Sequence, residues 1–481
     1  MTKLFISLTS LLSFMILSAQ EKPKTIKESS TQIDNYLTEV TTKYNMPGIA
    51  VAVIKNGKVI HRNNYGKANI EFDVPVSDKS IFRIYSLTKT IIVIGVFQLI
   101  EQNKLALEDP ISKYLPDLPA TWNSVQVKHL VTHSSGLPDI VNYEQLPENE
   151  AKAKVFADAI QFEKGEKYEY NQTNFWLLQK IIETISKQNI ETFIIENQFG
   201  NQAENKDVFF STDSRDIFAN RVTPYNNFSG GKMQIGLSNN GSYLNSCNGI
   251  NITMDEFIKW DSKFNENKLI NEKTKNTMWT LFPFTKTDYK FTLGWDERII
   301  NGHTSYGFSG GRRVAYRNFP NDNLSIIFMA NGIGSDANVE DIINQIAHFV
   351  DNDIIDYGFA AYETLMKSAQ ENVSGLKNTF ASLKKDPKYA NVNLEEHLNR
   401  IGYILLYHDQ KVPEAVSVFS LNAKEYPKSS NVYDSLAEAY EVNKDIKNAL
   451  LSYTKAAELS TDTDYRARVN KKIAELKQAL K

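Results

Sequence analysis

The chain has 481 residues, with 54 Lys+Arg against 57 Asp+Glu and a net charge of −3 at pH 7. That length suits two or three domains, and the balanced charge lacks the basic field that nucleic-acid binding requires. The single cysteine, Cys247, excludes an intrachain disulfide and a cysteine-rich metal site. At the N-terminus Lys3 precedes an apolar run from Leu4 to Leu17, followed by Ser18-Ala19. This is the pattern of a signal peptide over residues 1–20, cleaved near Ala19 or Gln20, and the run is short for a membrane span. Export to a periplasmic or extracellular location is expected, with no transmembrane anchor in the mature chain.

Residues 48–66, "GIAVAVIKNGKVIHRNNYG", alternate apolar and polar around Asn56-Gly57, which predicts a β-hairpin with a type I′ turn. "SLTKTIIVIGVFQLIEQNK" follows, apolar on nearly every side, and predicts a buried helix. Residues 104–260 are rich in Asn, Gly and Pro, with short helical stretches such as "NFWLLQKIIETI". Strand-like runs return in "KFTLGWDERII", "GRRVAYRNF" and "LSIIFMANG", and "NVEDIINQIAHFVDNDI" reads as a closing helix. Strands at both ends around a helical middle imply one antiparallel sheet completed by distant segments, an α+β domain over 21–355.

From 356 onward the pattern is continuously helical, with 356–394 read as a linker or capping repeat and 395–481 as repeats. Ala415 and Ala449 lie 34 residues apart, as do Phe419 and Tyr453. Leu398, Ile401, Gly402 and Leu405 match Tyr433, Leu436, Ala437 and Tyr440 if the first turn carries one extra residue. Pro413 suits a helix start and Pro427 a repeat end. This all-α segment resembles tetratricopeptide repeats, which implies a protein partner or self-association.

Ser86-Leu87-Thr88-Lys89 is an S-x-x-K, a pattern that also occurs at Ser229, Ser374, Ser382 and Ser452. Ser86 differs in its setting, because Lys89 is the only charge between Arg83 and Glu101. Three residues apart on a helix, Ser86 and Lys89 share a face. A buried lysine at a helix N-terminus is disfavoured as an ammonium and could take a serine proton during attack on a carbonyl.

The run "FRIYSLTKTIIVIGVFQLIEQNKLALEDPISKYLPDLP" and then "VKHLVTHSSGLPD" resemble the serine β-lactamase and penicillin-binding-protein superfamily. The likeness is greatest to its class C β-lactamase, D-alanyl-D-alanine carboxypeptidase and esterase branch, over roughly residues 30–350. It implies a β-lactamase/transpeptidase-like sheet flanked by helices with a helical subdomain, and an exported serine hydrolase acting through an acyl-enzyme on an ester or amide. It makes Ser86 the nucleophile and Lys89 and Tyr170 its proton carriers. In the family's Y-x-N motif, Tyr170 is the tyrosine and Gln172 stands where asparagine is usual. In the K-T-G or H-x-G motif, Phe308-Ser309-Gly310 aligns, so Phe308 takes the basic or imidazole position. The Gly311 and Ser86 N–H groups would form the oxyanion hole, and Arg312 or Arg313 could supply the missing charge. Gln172, Phe308, Ser309, Gly310 and Arg312 are the expected substrate-binding residues.

Two other readings stand beside this one. The first is an inactive protein of the same fold that binds a partner through its repeats, favoured by the changes at Gln172 and Phe308. The second takes Gly307-Phe308-Ser309-Gly310-Gly311 as a G-x-S-x-G nucleophile elbow. That elbow needs a helix after the serine, and two strand-like runs follow Ser309 instead. His133 is read as a fold residue of the "THSSG" loop and His303 as a turn or rim residue. No metal spacing or phosphate loop stands out, so no cofactor is expected, and the ligand is a small-molecule or peptide substrate.

Overall fold

The computed structural model describes residues 25–226, 232–334 and 337–479, and the expected signal peptide lies outside them. In chain order the strands are β1 (Gly48–Lys55), β2 (Lys58–Asn69), β3 (Val74–Pro75), β4 (Ile81–Arg83), β5 (Val208–Phe210) and β6 (Tyr225–Asn226). They continue as β7 (Gln234–Ile235), β8 (Ile250–Thr253), β9 (Asp296–Ile300), β10 (His303–Gly310), β11 (Val314–Phe319) and β12 (Leu324–Ala330). Asn56 and Gly57 carry φ of 52° and 70°, the two left-handed residues of a type I′ turn, and they join β1 to β2.

The main sheet has seven strands in the order β3-β2-β1-β12-β11-β10-β9. β1 pairs antiparallel with β12, Val51 opposite Phe328, so the last strand of the domain completes a sheet begun by the first. Alternation sends Ala50, Ala52, Val314, Tyr316, Ile327 and Met329 to one face, against the Thr88–Glu101 helix. Ile49, Val51, Val53, Ala315, Ile326 and Phe328 face the other way, onto the Ile26–Lys43 and Val339–Val350 helices. Because both faces are covered, every residue of β1 from Gly48 to Ile54 is buried. Each such fully buried Val or Ile contributes about 1.5–3 kcal/mol.

The middle of the chain is less purely helical than its composition predicts. There β5 and β8 join the earlier β4 in a small sheet of order β4-β8-β5, which only long-range pairing stabilises, and β6 pairs locally with β7. Of "KFTLGWDERII" only Asp296–Ile300 is strand.

Beyond Asp356 the described chain is helical: Tyr357–Glu371, Leu376–Lys385, Leu394–Tyr403, Val412–Glu425, Ser430–Val442, Ile446–Leu459 and Thr463–Ala479. From Val412 on, each helix packs against the next. Gly402 is required where the Leu394–Tyr403 helix crosses Val412–Glu425, since a Cβ there would lie 2.5 Å from the Phe419 ring. Ala437, Ala449 and Tyr453 are buried together one helical pair later. The helical region is tied to the sheet domain by Lys43–Glu363 at 3.1 Å, Arg400–Asp341 at 3.6 Å and Asn344 Nδ2 to Asp356 Oδ2 at 3.0 Å. No helix among the described residues is long and apolar enough to cross a membrane.

Candidate active site

Ser86 lies in a short 3-10 turn, Tyr85–Leu87, that leads into the Thr88–Glu101 helix. Tyr85 before it has φ of 47°, the left-handed region that a tyrosine adopts only when its surroundings hold it there. Its ring is clasped between the guanidinium groups of Arg83, 4.9 Å from the centroid, and Arg313, at 5.1 Å. Arg83 is fixed in turn by Asn248 O and Oδ1, Thr212 O and Ser238 Oγ. Arg313 donates to Gly311 O, Tyr225 O and Asn226 Oδ1. Neither arginine is thus available to a substrate in the way the sequence reading allowed for Arg313. They set the turn that presents Ser86; Arg83 is a near neighbour of Tyr85 in sequence, but Arg313 and the groups that fix Arg83 come from distant segments.

The structure brings Ser86, Lys89, Tyr170 and Gln172 together. Tyr170 Oη donates to Ser86 Oγ over 2.7 Å. Lys89, only 1% exposed, donates from Nζ to Gln172 Oε1 at 2.8 Å and to Cys247 O at 2.7 Å. Lys89 Nζ also sits over the Tyr170 ring at 4.8 Å and the Phe175 ring at 5.3 Å. Gln172 therefore makes the lysine contact for which its amide oxygen qualifies it, despite standing at an asparagine position. It is held by Asp139 Oδ1, which accepts from the Gln172 and Val141 N–H groups at 3.0 and 3.1 Å. Burial raises the Asp139 carboxyl above its usual range, and those N–H donors oppose the shift.

His133 is fully buried behind Tyr170, with ring centroids 4.7 Å apart. Its Nδ1 accepts from Asn171 N at 3.1 Å, and burial pushes its pKa well below the ordinary value, so the ring is neutral. It supports the tyrosine and makes no contact with Ser86, in keeping with the fold role read from the sequence. His303 opens β10 and meets Asp322 at 2.9 Å, in the turn region expected of it.

Opposite Ser86 runs the end of β10. Pairing with β9 stops at Gly307–Asp296, which leaves Phe308–Gly310 as an edge beside the nucleophile turn. A Cβ on Gly310 would lie 2.3 Å from Ile84 O and 2.9 Å from Ser86 N. Gly311, at φ 56°, passes equally close to the Tyr85 ring, 2.7 Å for the same test. Only glycine allows this approach, and it brings the Gly310-Gly311 backbone against that of Ser86. Phe308 lies near Tyr170 in a stacked arrangement, 6.2 Å between centroids, and edge-on to Phe291 at 6.3 Å.

Ser309 departs from the expected cluster. It pairs with Ala315, whose side chain belongs to the opposite core, so its own side chain turns away from the Ser86 side of the sheet. Ser309 and the exposed Arg312 line a cleft shared with the helical region instead. Cys247 is buried, and burial raises its thiol to about 11, which leaves its backbone carbonyl as the part that serves the site. No group of three or more His, Cys, Asp or Glu suited to a metal ion occurs among the described residues.

The family model described as Beta-lactamase matches residues 33–349. "Protein flp" of Staphylococcus aureus (strain MW2) is 27% identical over 180 residues, 35% of this chain and 36% of that protein. The match thus spans about a third of the length of that curated relative. An octameric penicillin-binding protein homologue from Pyrococcus abyssi superimposes with a TM-score of 0.60 at 20% identity, covering 70% of this chain and 81% of that one. A D-amino acid amidase from Ochrobactrum anthropi SV3 gives 0.56 at 18% identity, covering 68% and 98%.

Proposed function

The chain belongs to the Beta-lactamase family, and from that premise we propose that it is an exported serine hydrolase that cleaves an ester or amide through an acyl-enzyme on Ser86. The observation that carries this reading is the 2.7 Å hydrogen bond between Tyr170 and Ser86, beside the buried Lys89. Ser86 Oγ attacks the carbonyl carbon, and its proton passes through Tyr170 and Lys89 to the leaving oxygen or nitrogen as the C–O or C–N bond breaks. The Ser86 and Gly311 N–H groups stabilise the developing oxyanion. Water then attacks the acyl carbon and gives one proton back to Ser86 Oγ along the same path, releasing the acid.

Phe308 supports an apolar substrate group at the reacting centre, since a phenyl ring can neither pair with a carboxylate nor carry a proton. A D-amino acid amidase shares this fold at 18% identity, so amides belong in the first panel. The helical pairs from Leu394 onward, with Gly402 against Phe419, support the tetratricopeptide-like reading of residues 395–481 and a role in binding. The test is turnover of short acyl esters, D-amino-acid amides and a chromogenic cephalosporin by wild type and Ser86→Ala. Turnover of at least one class that Ser86→Ala loses supports hydrolysis. No turnover in the whole panel, with a protein partner lost on deleting residues 395–481, would favour the binding-protein reading instead.

A further inference from the structure

The side chains beside the nucleophile form a row of aromatic rings. Phe308 pairs with Tyr316, whose side chain joins the core around the Thr88–Glu101 helix, so the Phe308 ring stands on the Ser86 side of the sheet. Its centroid is 6.2 Å from that of Tyr170, the hydrogen-bond partner of Ser86. From Phe308 the row continues to Phe291 at 6.3 Å, from Phe291 to Tyr168 at 4.9 Å, and from Tyr168 to Tyr289 at 4.7 Å. Segments far apart in sequence thus supply one aromatic surface that begins at the partner of the nucleophile.

The row is fixed from behind and reaches solvent in front. Phe291 is buried, and the neutral His133 ring packs on Tyr170, Tyr168 and Phe291 at 4.7, 5.5 and 6.2 Å. The segment leading to Phe291 is tied to the one leading to Tyr168, because Thr285 N and Lys286 N donate to Gly165 O and Glu166 O at 3.0 and 2.8 Å. In front, Tyr170 and Tyr289 are exposed, and Phe308 and Tyr168 are half-buried. Burial raises the Tyr168 and Tyr289 phenols above their ordinary range, so they stay uncharged at neutral pH. A rigid, uncharged ring surface next to the reacting serine matches an aromatic ring in the substrate, which can meet it edge-on or offset-stacked.

We propose that the substrate carries an aryl group close to its reacting carbonyl, and that Phe308 is the ring that recognises it, with Phe291 and Tyr168 extending the surface. The proposal rests on the hydrolase reading above and narrows its substrate class to esters or amides with an aryl group in the acyl or the leaving part. Aromatic pairing adds to area burial by an amount equivalent to roughly 2–12-fold in affinity.

Matched esters test it with the full chain: phenylacetyl against cyclohexylacetyl esters of one alcohol, and benzyl against cyclohexylmethyl esters of one acid. The cyclohexyl ring is the bulkier and more apolar, so burial alone favours it. Wild type is expected to prefer the aryl member of at least one pair by roughly 2–12-fold in kcat/KM, and the pair that shows it identifies which part of the substrate meets Phe308. Phe308→Leu brings that ratio to about one, and Phe308→Tyr, which keeps a ring, retains it. A wild type with no aryl preference in either pair, or a preference that Phe308→Leu leaves intact, would overturn the proposal. The wild-type ratio decides it on its own where a variant fails to fold. Calorimetry of matched aryl and cyclohexyl ethers, which cannot be hydrolysed, on Ser86→Ala separates recognition from chemistry. If no ester is cleaved yet the aryl ether binds more tightly in a Phe308-dependent way, the aryl reading stands and hydrolysis falls. If Ser86-dependent cleavage proceeds without aryl preference, or the two ethers bind equally or not at all, the aryl reading falls.

Discussion

Tyr170 Oη and Ser86 Oγ are 2.7 Å apart, although the two residues are 84 positions apart in sequence and belong to different elements. The contact depends on His133 packing behind the phenol and on Arg83 and Arg313 clasping Tyr85 beside the serine. Tyr170→Phe keeps the ring against His133 and Lys89 and removes only the hydroxyl. A fall of roughly 10²–10⁴ in kcat, with KM changed far less, is expected from the loss of a proton carrier. Steady-state kinetics on the best ester of the panel decides this, and wild-type kcat in Tyr170→Phe would remove Tyr170 from the mechanism.

Gln172 gives a second test, because its oxygen accepts from Lys89 over 2.8 Å. Gln172→Asn keeps an amide one methylene shorter, whereas Gln172→Leu leaves the buried Lys89 Nζ one acceptor short. Leaving a buried donor unsatisfied costs about 1–3 kcal/mol. Gln172→Leu should lose stability on that scale in denaturant titrations and lower activity, with Gln172→Asn milder in both. Equal behaviour of the two variants would mean that the Lys89 contact does not depend on the amide.

Gly310→Ala addresses the approach of the strand to the nucleophile. The added methyl meets backbone atoms at 2.3 and 2.9 Å, and these cannot rotate aside as a side chain can. Either β10 or the Ser86 turn must shift, at about 1–3 kcal/mol for an overpacked contact. Loss of kcat/KM of at least about 10²-fold is expected even if the variant stays folded, since small displacements of a reacting group cost that much. Circular dichroism and kinetics together test it, and an active, equally stable Gly310→Ala would show that β10 stands off from the turn.

Much of the frame was legible in the sequence because its signals are local. Asn56-Gly57 announces the hairpin, and the unbroken apolar run after Thr88 gives a helix buried from Thr88 to Leu99. The β1–β12 pairing followed from strand-like runs at both ends of the domain. What escaped is what distant segments decide. Nothing near Tyr85 predicts that the distant Arg313 joins Arg83 on its ring, and the motif alignment of Ser309 does not show that its pairing with Ala315 governs where it points. The extra residue in the first repeat was visible in the spacing, but its form as a π turn facing Arg312 required the fold.

At the contact between the sheet domain and the helical region, burial raises Asp341 to about 6 against the opposing pull of Arg400, with Asp356 adding to the rise. Between about pH 4 and 6 the folded chain holds a proton there that the unfolded chain has released. Stability from this group therefore falls as pH rises through that window, and above it the ionised carboxylate is a net cost. Asp341→Asn should gain on the order of 1–3 kcal/mol over wild type at pH 7.5 and little below pH 4. Urea unfolding at both pH values checks this. A wild type that is more stable than the variant at pH 7.5 would show that the Arg400 contact outweighs burial.

The central claim is that Ser86 is acylated. The purified protein is treated with a fluorophosphonate or a penicillin-type acylating probe, digested, and mapped by mass spectrometry. A single adduct on Ser86, absent in Ser86→Ala and slowed in Lys89→Ala, is the predicted result. An adduct on another serine, Ser309 included, with turnover surviving Ser86→Ala, would contradict it.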